Sequence, residues 1–467
     1  MSILRISVLV VAALAAVPGC APKRPAATAP AVPSIPASFS PQQLAEVWDR
    51  ERVSWPVPPL VRHADVDARL KEVRAAAPDL FQLEAIGASV EGRSINHLSF
   101  GRGPLHVLLW SQMHGDEPTA TAALFDVFEQ FRRHRGEPAY AGILDALTIH
   151  AVPMLNPDGA ERFQRRNAQG IDVNRDALRL QTPEGRALKA LRDRLNAPVG
   201  FNLHNQGWRT SAGKTGQPAS ISLLSVAFDD AKTESPGRLL TKQLCALVRD
   251  ALEPLAPGRV ARYDEEFEVR AFGDNLTKWG TSVVLIETGP WPAAEPDPYL
   301  VRLNFVALMS ALDGLATGRV TQADKQRYET LPINETDLFY VLVRNATVIP
   351  GTGVAPFTAD IGIVASRGVR TTDGTRETRL SARIEDLGDL HTMSALESVD
   401  ATGLFVAPLW DPAMKAGDVV ALPDFTAQRA THVIATGEPV ALVILRRDGD
   451  GYRVERVIRY EAPGTVR

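Results

Sequence analysis

The chain alternates between short apolar runs and segments with a helical period. Apolar runs at 107–113, 147–155, 200–204 and 282–287 have the length and composition of buried strands. Helical patterns separate these runs, and one of them, at 118–133, begins with a proline that suits the first turn of a helix. Strands that alternate with helices predict an α/β domain over residues 41–315.

A different pattern follows toward the end of the chain. Residues 316–335 are polar and break the periodicity, which indicates a linker. Short β-like runs then occupy 339–349, 404–409, 419–422 and 440–460, and Asp448-Gly449-Asp450-Gly451 divides the last run as a hairpin turn would. The sequence therefore predicts a second, all-β domain over residues 336–467.

The first forty residues are not expected to belong to either domain. Arg5 precedes an apolar stretch at 6–17, which is too short to span a bilayer. The stretch leads to Val17-Pro18-Gly19-Cys20, which resembles the lipobox of bacterial lipoproteins. We expect residues 1–20 to be a signal peptide and Cys20 to carry a lipid, with the Pro/Ala-rich residues 21–40 as a tether. This predicts an exported bacterial lipoprotein that faces the periplasm or the cell surface; an ordinary signal peptide is the alternative.

Composition excludes some classes of partner and of scaffold. The 467 residues carry a formal net charge of −4, which gives no reason to expect nucleic-acid binding. With two cysteines, Cys20 and Cys245, the chain cannot have a disulfide framework. Cys245 lies in a helical pattern at 239–252, so we expect a buried and inert thiol.

The chemistry is concentrated at the ends of the apolar runs. His114 and Glu117 stand three residues apart between the first run and a predicted helix, and His204 ends a later run. Two histidines and a carboxylate form the His₂Glu set that catalytic zinc sites use, with one position left for water. Glu287 ends another apolar run, where an isolated carboxylate would be costly to bury unless it served a metal-bound water as base and then acid.

Several segments appear in an order that resembles the zinc carboxypeptidase (M14) family. The resemblance extends over about residues 60–315 and implies a three-layer α/β/α domain with a mixed sheet and one Zn²⁺ per chain, bound by His114, Glu117 and His204. Besides the residues already described, it rests on segments at 86–93, 156–159, 170–176, 201–205 and 283–289.

The resemblance also implies roles for residues between the metal ligands. Asp172 would orient His114, and Glu287 would be the catalytic base. Arg165 would stabilise the oxyanion, with Arg166 as the alternative. Asn174 and Arg175 would bind the terminal carboxylate of the substrate, which the planar guanidinium fork suits.

The sequence departs from the family pattern around the substrate. Asp116 stands where an arginine is often found. Tyr263 is the one tyrosine between Trp208 and Glu287, and it is the candidate for the family's mobile tyrosine. Asp274 is a candidate for contact with a basic side chain, although capping of a turn is the simpler role for it.

The C-terminal region resembles the small β-sandwich domain of amidohydrolases. The similar segments lie at 343–363, 400–408 and 415–420, but neither the barrel nor its His-x-His metal motif follows them. We therefore expect a sandwich-like domain without a catalytic metal.

The predicted function is that of a zinc metallocarboxypeptidase acting on a peptide or peptide-like substrate with a free carboxylate. A zinc amidase or deacylase acting on cell-wall peptides or acyl amino acids is the second hypothesis. A noncatalytic, lipid-anchored binding protein is the third.

Overall fold

A computed structural model describes residues 37–425 and 431–460 of the chain. The predicted signal peptide with Cys20, and most of the predicted tether, lie outside the described residues. The described residues belong to one compact unit. We divide it into the half that contains the predicted catalytic residues, called the catalytic half (residues 41–331), and a β half (residues 332–460).

Most helices of the catalytic half begin where the sequence provides a proline or a capping side chain. Ser40 and Gln43 form a reciprocal capping box at the first helix, and Thr182 and Ser235 cap two later ones. The helices are α1 Pro41–Glu51, α2 His63–Ala76, α3 Thr119–His134, α4 Pro138–Ala146, α5 Pro157–Arg162, α6 Pro183–Leu195, α7 Pro236–Leu252, α8 Phe272–Lys278, α9 Asp297–Ala316 and α10 Gln326–Glu329.

Eight strands of the catalytic half form one mixed sheet. The first ten strands of the chain are β1 Gln82–Ala88, β2 Ser94–Gly101, β3 Leu105–Ser111, β4 Leu147–Val152, β5 Val199–Asn205, β6 Thr210–Ala212, β7 Ile221–Ser225, β8 Val260–Arg262, β9 Ser282–Thr288 and β10 Asn334–Thr336. The sheet has the order β1-β2-β4-β3-β5-β9-β7-β8. Its four central strands, β4, β3, β5 and β9, are parallel to one another.

Alternation along β3 shows why the sheet is covered on both faces. Val107 and Leu109 pack with helices α1, α2, α3, α7 and α9 in one core, whereas Leu108 and Trp110 pack with α6 and α8 in another. A continuous apolar run therefore marks a strand with no solvent-facing side. The predicted three-layer α/β/α fold with a mixed sheet is confirmed.

Helix α9 belongs to the first of these cores. It is long and apolar enough to pass a length-and-composition test for a membrane span, but 83% of that window is buried inside the protein. Cys245 of α7 is also fully buried, and burial raises the pKa of its thiol, as expected for an inert cysteine.

The β half forms a second sheet of eight strands. These are β11 Leu338–Val348, β12 Phe357–Thr372, β13 Thr375–Gly388, β14 Ser394–Asp400, β15 Phe405–Pro408, β16 Val419–Val420, β17 Ala441–Asp448 and β18 Gly451–Arg459. Residues of β12 and β17, which are not neighbours in the sheet, share one apolar core, and a bridge joins Arg383 to Pro439. The sheet therefore curls on itself, which covers its apolar face without helices.

No apolar run in the sequence predicted the longest hairpin of the described residues. Strands β12 and β13 pair over most of their length around Asp373 and Gly374, which both have positive φ, at 48° and 81°. Many of their side chains are polar and exposed, so no apolar run marks them. The Asp-Gly pair is the turn signal that could have revealed the hairpin.

The two halves are firmly joined. Residues 316–335, predicted as a linker, contain α10 with the fully buried Tyr328, and β10 pairs with β6 of the catalytic half. Arg376 of the long hairpin is buried and donates to the carbonyl oxygens of Val61 (3.0 Å) and Ala160 (3.1 Å).

Candidate active site

Three parallel neighbours of the first sheet carry the candidate residues at their carboxyl ends. Strand β3 leads into the turn with His114 and Glu117, β5 ends near His204, and β9 ends near Glu287. His204 and Glu287 are paired residues of the β5–β9 ladder. Sites of α/β proteins form at this edge of a sheet because the strands deliver side chains from distant parts of the sequence to one place.

The structure brings His114, Glu117 and His204 together in a buried cluster. Glu117 Oε1 lies 2.8 Å from His114 Nδ1, and Glu117 Oε2 lies 2.7 Å from His204 Nδ1. The two Nδ1 atoms are 3.1 Å apart, and one potential ligand atom from each residue lies within 4.8 Å of the others. Among the described residues, this is the one group of three or more potential ligands that could hold a metal ion.

The charges of the cluster fit a cation. Burial raises the pKa of Glu117, but His114 and His204 reverse that effect and hold the pKa below its ordinary value. Burial lowers the pKa of His114, whereas Glu117 and Asp172 raise it to about 9. A carboxylate so stabilised by neighbouring positive charge, beside two buried imidazoles, has the donor set that zinc prefers.

A close backbone contact fixes the turn that carries the first two ligands. A Cβ atom on Gly115 would lie 2.0 Å from the carbonyl carbon of Gly159. The two backbone segments can therefore approach this closely only because Gly115 has no side chain. Asn156 caps α5 by accepting from Gly159 N (2.9 Å) and donates to the carbonyl oxygen of Met113 (3.3 Å). The segment 156–159 therefore packs against the turn that carries His114 and Glu117 and holds it in place.

Asp172 and Arg165 lie beside the cluster, where the resemblance implied them. Asp172 Oδ1 is 3.1 Å from His114 Nε2, and its Oδ2 accepts from Arg165 Nε at 2.9 Å. Arg165 Nη1 lies 3.0 Å from His114 Nδ1 and 3.5 Å from Glu117 Oε1. Arg166 instead donates to the carbonyl oxygen of Gly170 on the surface, so the geometry favours Arg165 over Arg166.

Glu287 is buried beside the cluster. Its Oε2 atom has no hydrogen-bond partner among the described residues. Burial and the nearby Glu117 carboxylate raise the pKa of Glu287 well above its ordinary value. A buried carboxyl group without a structural partner is a candidate for proton transfer.

Asn174 and Arg175 follow Asp172 in a 3₁₀ turn. The backbone N–H of Asn174 donates to Asp172 (2.9 Å), and its side-chain oxygen accepts from the backbone N–H of Phe272 at the start of α8 (2.9 Å). Arg175 Nε lies 3.2 Å from Glu268, and its side chain is 35% exposed. Asn174 therefore positions α8, whereas the partly exposed guanidinium of Arg175 contacts Glu268 and the carbonyl oxygen of Asn174.

The two uncertain candidates have different surroundings. The Glu287 carboxylate is the main cause that raises the pKa of Tyr263, to about 12, followed by burial. Asp274 accepts from the backbone N–H of Glu268 (3.0 Å), which is the turn-capping role, and burial raises its pKa to about 6. Tyr263 therefore lies close enough to Glu287, the candidate base, to interact with it electrostatically. Asp274 stabilises the loop before α8.

A cavity of about 940 Å³ adjoins the cluster and is lined by both halves of the protein. Glu117 and Arg165 stand where it meets the cluster, and Asn205 also contributes a backbone N–H that donates to Glu117 (3.2 Å). The β half contributes Tyr340, Arg367, Leu380 and Glu397, among other residues. Sequence reasoning missed this wall because no local pattern reports which distant segments will pack together.

Sequence comparisons agree with this geometry. Residues 66–236 match the model of the zinc carboxypeptidase (Peptidase M14) family. Carboxypeptidase E of Caenorhabditis elegans is 31% identical over 134 residues, which cover 24% of this chain and 28% of that protein. Carboxypeptidase M of Mus musculus is 29% identical over 128 residues, which cover 24% and 29%. This chain thus spans less than a third of the length of either relative.

Solved structures include a metallo-carboxypeptidase from Burkholderia cenocepacia, with 19% identity and a TM-score of 0.42 over 54% of this chain and 69% of that one. The family match and the curated relatives therefore support the zinc carboxypeptidase family for residues 66–236 of this chain.

Proposed function

We propose that this protein is a zinc-dependent metallocarboxypeptidase that removes a C-terminal residue from a peptide or peptide-like substrate. The observation that carries the proposal is the buried His114–Glu117–His204 cluster with the unpartnered Glu287 beside it. The family match over residues 66–236 supports the same reaction.

In the proposed reaction His114, Glu117 and His204 would hold one Zn²⁺, and the contact with Asp172 would orient the His114 ring. A zinc ion held there would supply Lewis acidity, which lowers the pKa of water and polarises a carbonyl group. Glu287 accepts the proton of the attacking water and returns it to the leaving amine. Its burial favours this role, since the raised pKa suits a group that must both take and release a proton.

Arginine side chains provide the remaining charge in the proposal. Arg165 places its guanidinium against the cluster, where negative charge develops on the carbonyl oxygen. Arg175, in the adjoining turn, offers its partly exposed guanidinium to the terminal carboxylate of the substrate. Recognition of that carboxylate explains why one terminal residue would be removed instead of an internal bond being cut.

The experiment combines metal analysis with hydrolysis of matched peptides. We expect about one zinc per chain, loss of most zinc in His204→Ala, and hydrolysis of peptides with a free C-terminus far faster than of their amides. Arg175→Ala should reduce that preference by about tenfold, the scale of one charge-assisted contact. Arg270→Ala is the matched control, because Arg270 binds the same Glu268 from a more exposed position. Full zinc content in His204→Ala, or equal rates on free and amidated peptides, would contradict the proposal.

The zinc amidase or deacylase alternative shares the cluster but does not need Arg175. N-acyl amino acids and γ-linked cell-wall peptides belong in the same screen, and a strict preference for them would favour that alternative. The third hypothesis, a noncatalytic binding protein, predicts no turnover of any of these substrates.

We also propose that the β half is noncatalytic, as its resemblance to the small amidohydrolase domain implied. Its two histidines, His391 and His432, are both exposed, and neither joins a group of potential metal ligands among the described residues. Metal analysis supports this division if the single zinc is lost in His204→Ala. A second bound zinc would argue against it.

For localisation we propose export and attachment to a membrane through a lipid on Cys20. The support is the sequence 17–20 after a short apolar stretch. Cys20→Ser should abolish lipid labelling and detergent-dependent membrane association. Association that persists unchanged in this variant would contradict the proposal.

A further inference from the structure

The cavity between the halves has one acidic side chain that forms no ion pair among the described residues. Asp116 lines the cavity directly before the cluster residue Glu117. Its Oδ1 atom is buried and accepts no hydrogen bond among the described residues. His114 and Arg165 act on its carboxylate electrostatically but do not form ion pairs with it.

Each of the other charged side chains that line the cavity has a charged or imidazole partner. Each contacts an oppositely charged or imidazole group, in the pairs Glu117–His204, Arg165–Asp172, Arg209–Glu385, Arg367–Asp297 and Glu397–Arg456. Among these charged side chains of the lining, Asp116 is therefore the one without an ion pair, and its charge is negative. In a space walled by Trp208, Trp291 and Tyr340, such a charge attracts a cation more strongly than it would in water.

The position of the cavity indicates which part of a substrate it would receive. Asn174 and Arg175, the candidates for binding the terminal carboxylate, do not line it. The cavity meets the cluster at Glu117 and Arg165 and extends toward the β half. A substrate whose terminal residue lies at Arg175 would therefore place the portion on the amino side of the cleaved bond in this cavity.

We propose that Asp116 binds a primary ammonium group on the amino-side portion of the substrate, in the cavity that the β half closes. The inference rests on the proposed carboxypeptidase function and specifies its substrate class. The ammonium group has two sources, the free amino terminus of a short peptide or a lysine side chain near the cleaved bond. A cavity of about 940 Å³ matches a ligand of a few residues, so either source fits within it.

The test uses the full-length, zinc-loaded protein and two pairs of peptides with one common C-terminal residue. The first pair is a tripeptide with a free amino terminus and its N-acetylated form. The second pair is N-acetylated, with lysine or norleucine before the cleaved bond. We expect kcat/KM to be about tenfold higher for the charged member of at least one pair, as for a charge-assisted contact. The pair that shows the advantage identifies the source of the ammonium group.

Variants show whether Asp116 is responsible. Asp116→Asn should remove the advantage, and Asp116→Glu should keep most of it. Asp145→Asn, at an exposed carboxylate paired with Arg102, is the matched control and should keep it fully. Equal zinc content and melting temperature in all variants exclude loss of the fold.

Two results would overturn the inference, namely no advantage in either pair or an advantage that Asp116→Asn retains. Both leave the carboxypeptidase function intact, because hydrolysis of the neutral peptides continues. Absence of hydrolysis of every peptide by the zinc-loaded wild type would instead contradict the proposed function, and the inference with it.

Discussion

The two halves of this protein cover their sheets in different ways, and that difference separates their contributions to the site. The catalytic half buries both faces of a mixed sheet under helices, and its parallel strands β3, β5 and β9 deliver polar side chains to one edge. The β half curls one sheet around its own core, and no group of potential metal ligands forms among its described residues. It contributes side chains to one wall of the cavity that adjoins the cluster.

The largest expected effect tests whether hydrolysis depends on the residues at the carboxyl edge of the first sheet. Glu287→Gln should lower kcat by about 10²–10⁴-fold, the usual contribution of a general acid–base group, because an amide cannot transfer the proton. Zinc content, measured on the same preparation, should stay at the wild-type level. Glu137→Gln, at an exposed carboxylate of the same half, is the control. Near-normal turnover in Glu287→Gln would assign the base to another residue.

The joint between the halves is tested by Arg376. Arg376→Ala should lower the free energy of unfolding by about 2–3 kcal/mol, since two carbonyl oxygens of the catalytic half lose a buried charged donor. Chemical denaturation followed by fluorescence and circular dichroism measures the change.

Arg383→Ala is the matched control for this joint. Arg383 lies on the same hairpin but pairs with the neighbouring Glu385 at the surface, so its loss should cost less than about 0.5 kcal/mol. An equal cost for both variants would show that Arg376 does not hold the halves together.

Acid should destabilise the catalytic half through a ladder of histidines. His150 on the middle one of three neighbouring strands contacts His97 on one side and His106 on the other, each at 3.0 Å. Burial, followed by the charges of His97 and His106, lowers the pKa of His150 to about 3. Because the unfolded chain binds this proton below about pH 6.5 and the folded chain does not, His150 costs about 1.4 kcal/mol per pH unit as the pH falls from 6.5 toward 3.

His150→Gln should therefore reduce the slope of the free energy of unfolding against pH between pH 6 and pH 5. The reduction should correspond to about one proton fewer taken up on unfolding. Unfolding curves at a series of pH values measure this slope. His391→Gln, at an exposed histidine of the β half, should leave the slope unchanged. Identical slopes for the wild type and His150→Gln would place the acid sensitivity elsewhere.

The smallest expected effect is the coupling between Arg367 and Asp297 across the halves. Arg367 donates two hydrogen bonds to this carboxylate at 2.7 and 2.8 Å, and both side chains are mostly buried. A double-mutant cycle with alanine should give a coupling energy of about 1 kcal/mol. The cycle for Arg383 and Glu385, within one strand, should give less than half of that. A coupling near zero for the first pair would make this contact incidental.

The sequence predicted the edge of the first sheet better than anything else in the protein. Apolar runs locate β3, β5 and β9 within a few residues because each strand is buried on both faces, and the site residues stand at the ends of those runs or just after them. The runs at 107–113 and 147–155 extend past the observed strand ends, since the buried turns that follow are also apolar.

The wall could not be predicted in the same way. Strands β12 and β13 expose many side chains and carry charges that pair across the interface, as Arg367 does with Asp297, so their pattern resembles that of a polar surface. The role proposed for Asp116 could not be predicted for a similar reason. Whether its carboxylate forms an ion pair depends on which distant segments pack around the cavity, and no local motif encodes that packing.

The order of these segments along the chain has a consequence for biosynthesis. Glu287 is synthesised 110 residues before Glu397, and protein segments generally fold from the N-terminal side as they appear. At about 5–20 residues per second, about 5–22 s separate the last residue of the candidate active site from the last residue of the cavity wall. Each newly made molecule therefore has the residues of its candidate active site before it has those that enclose it.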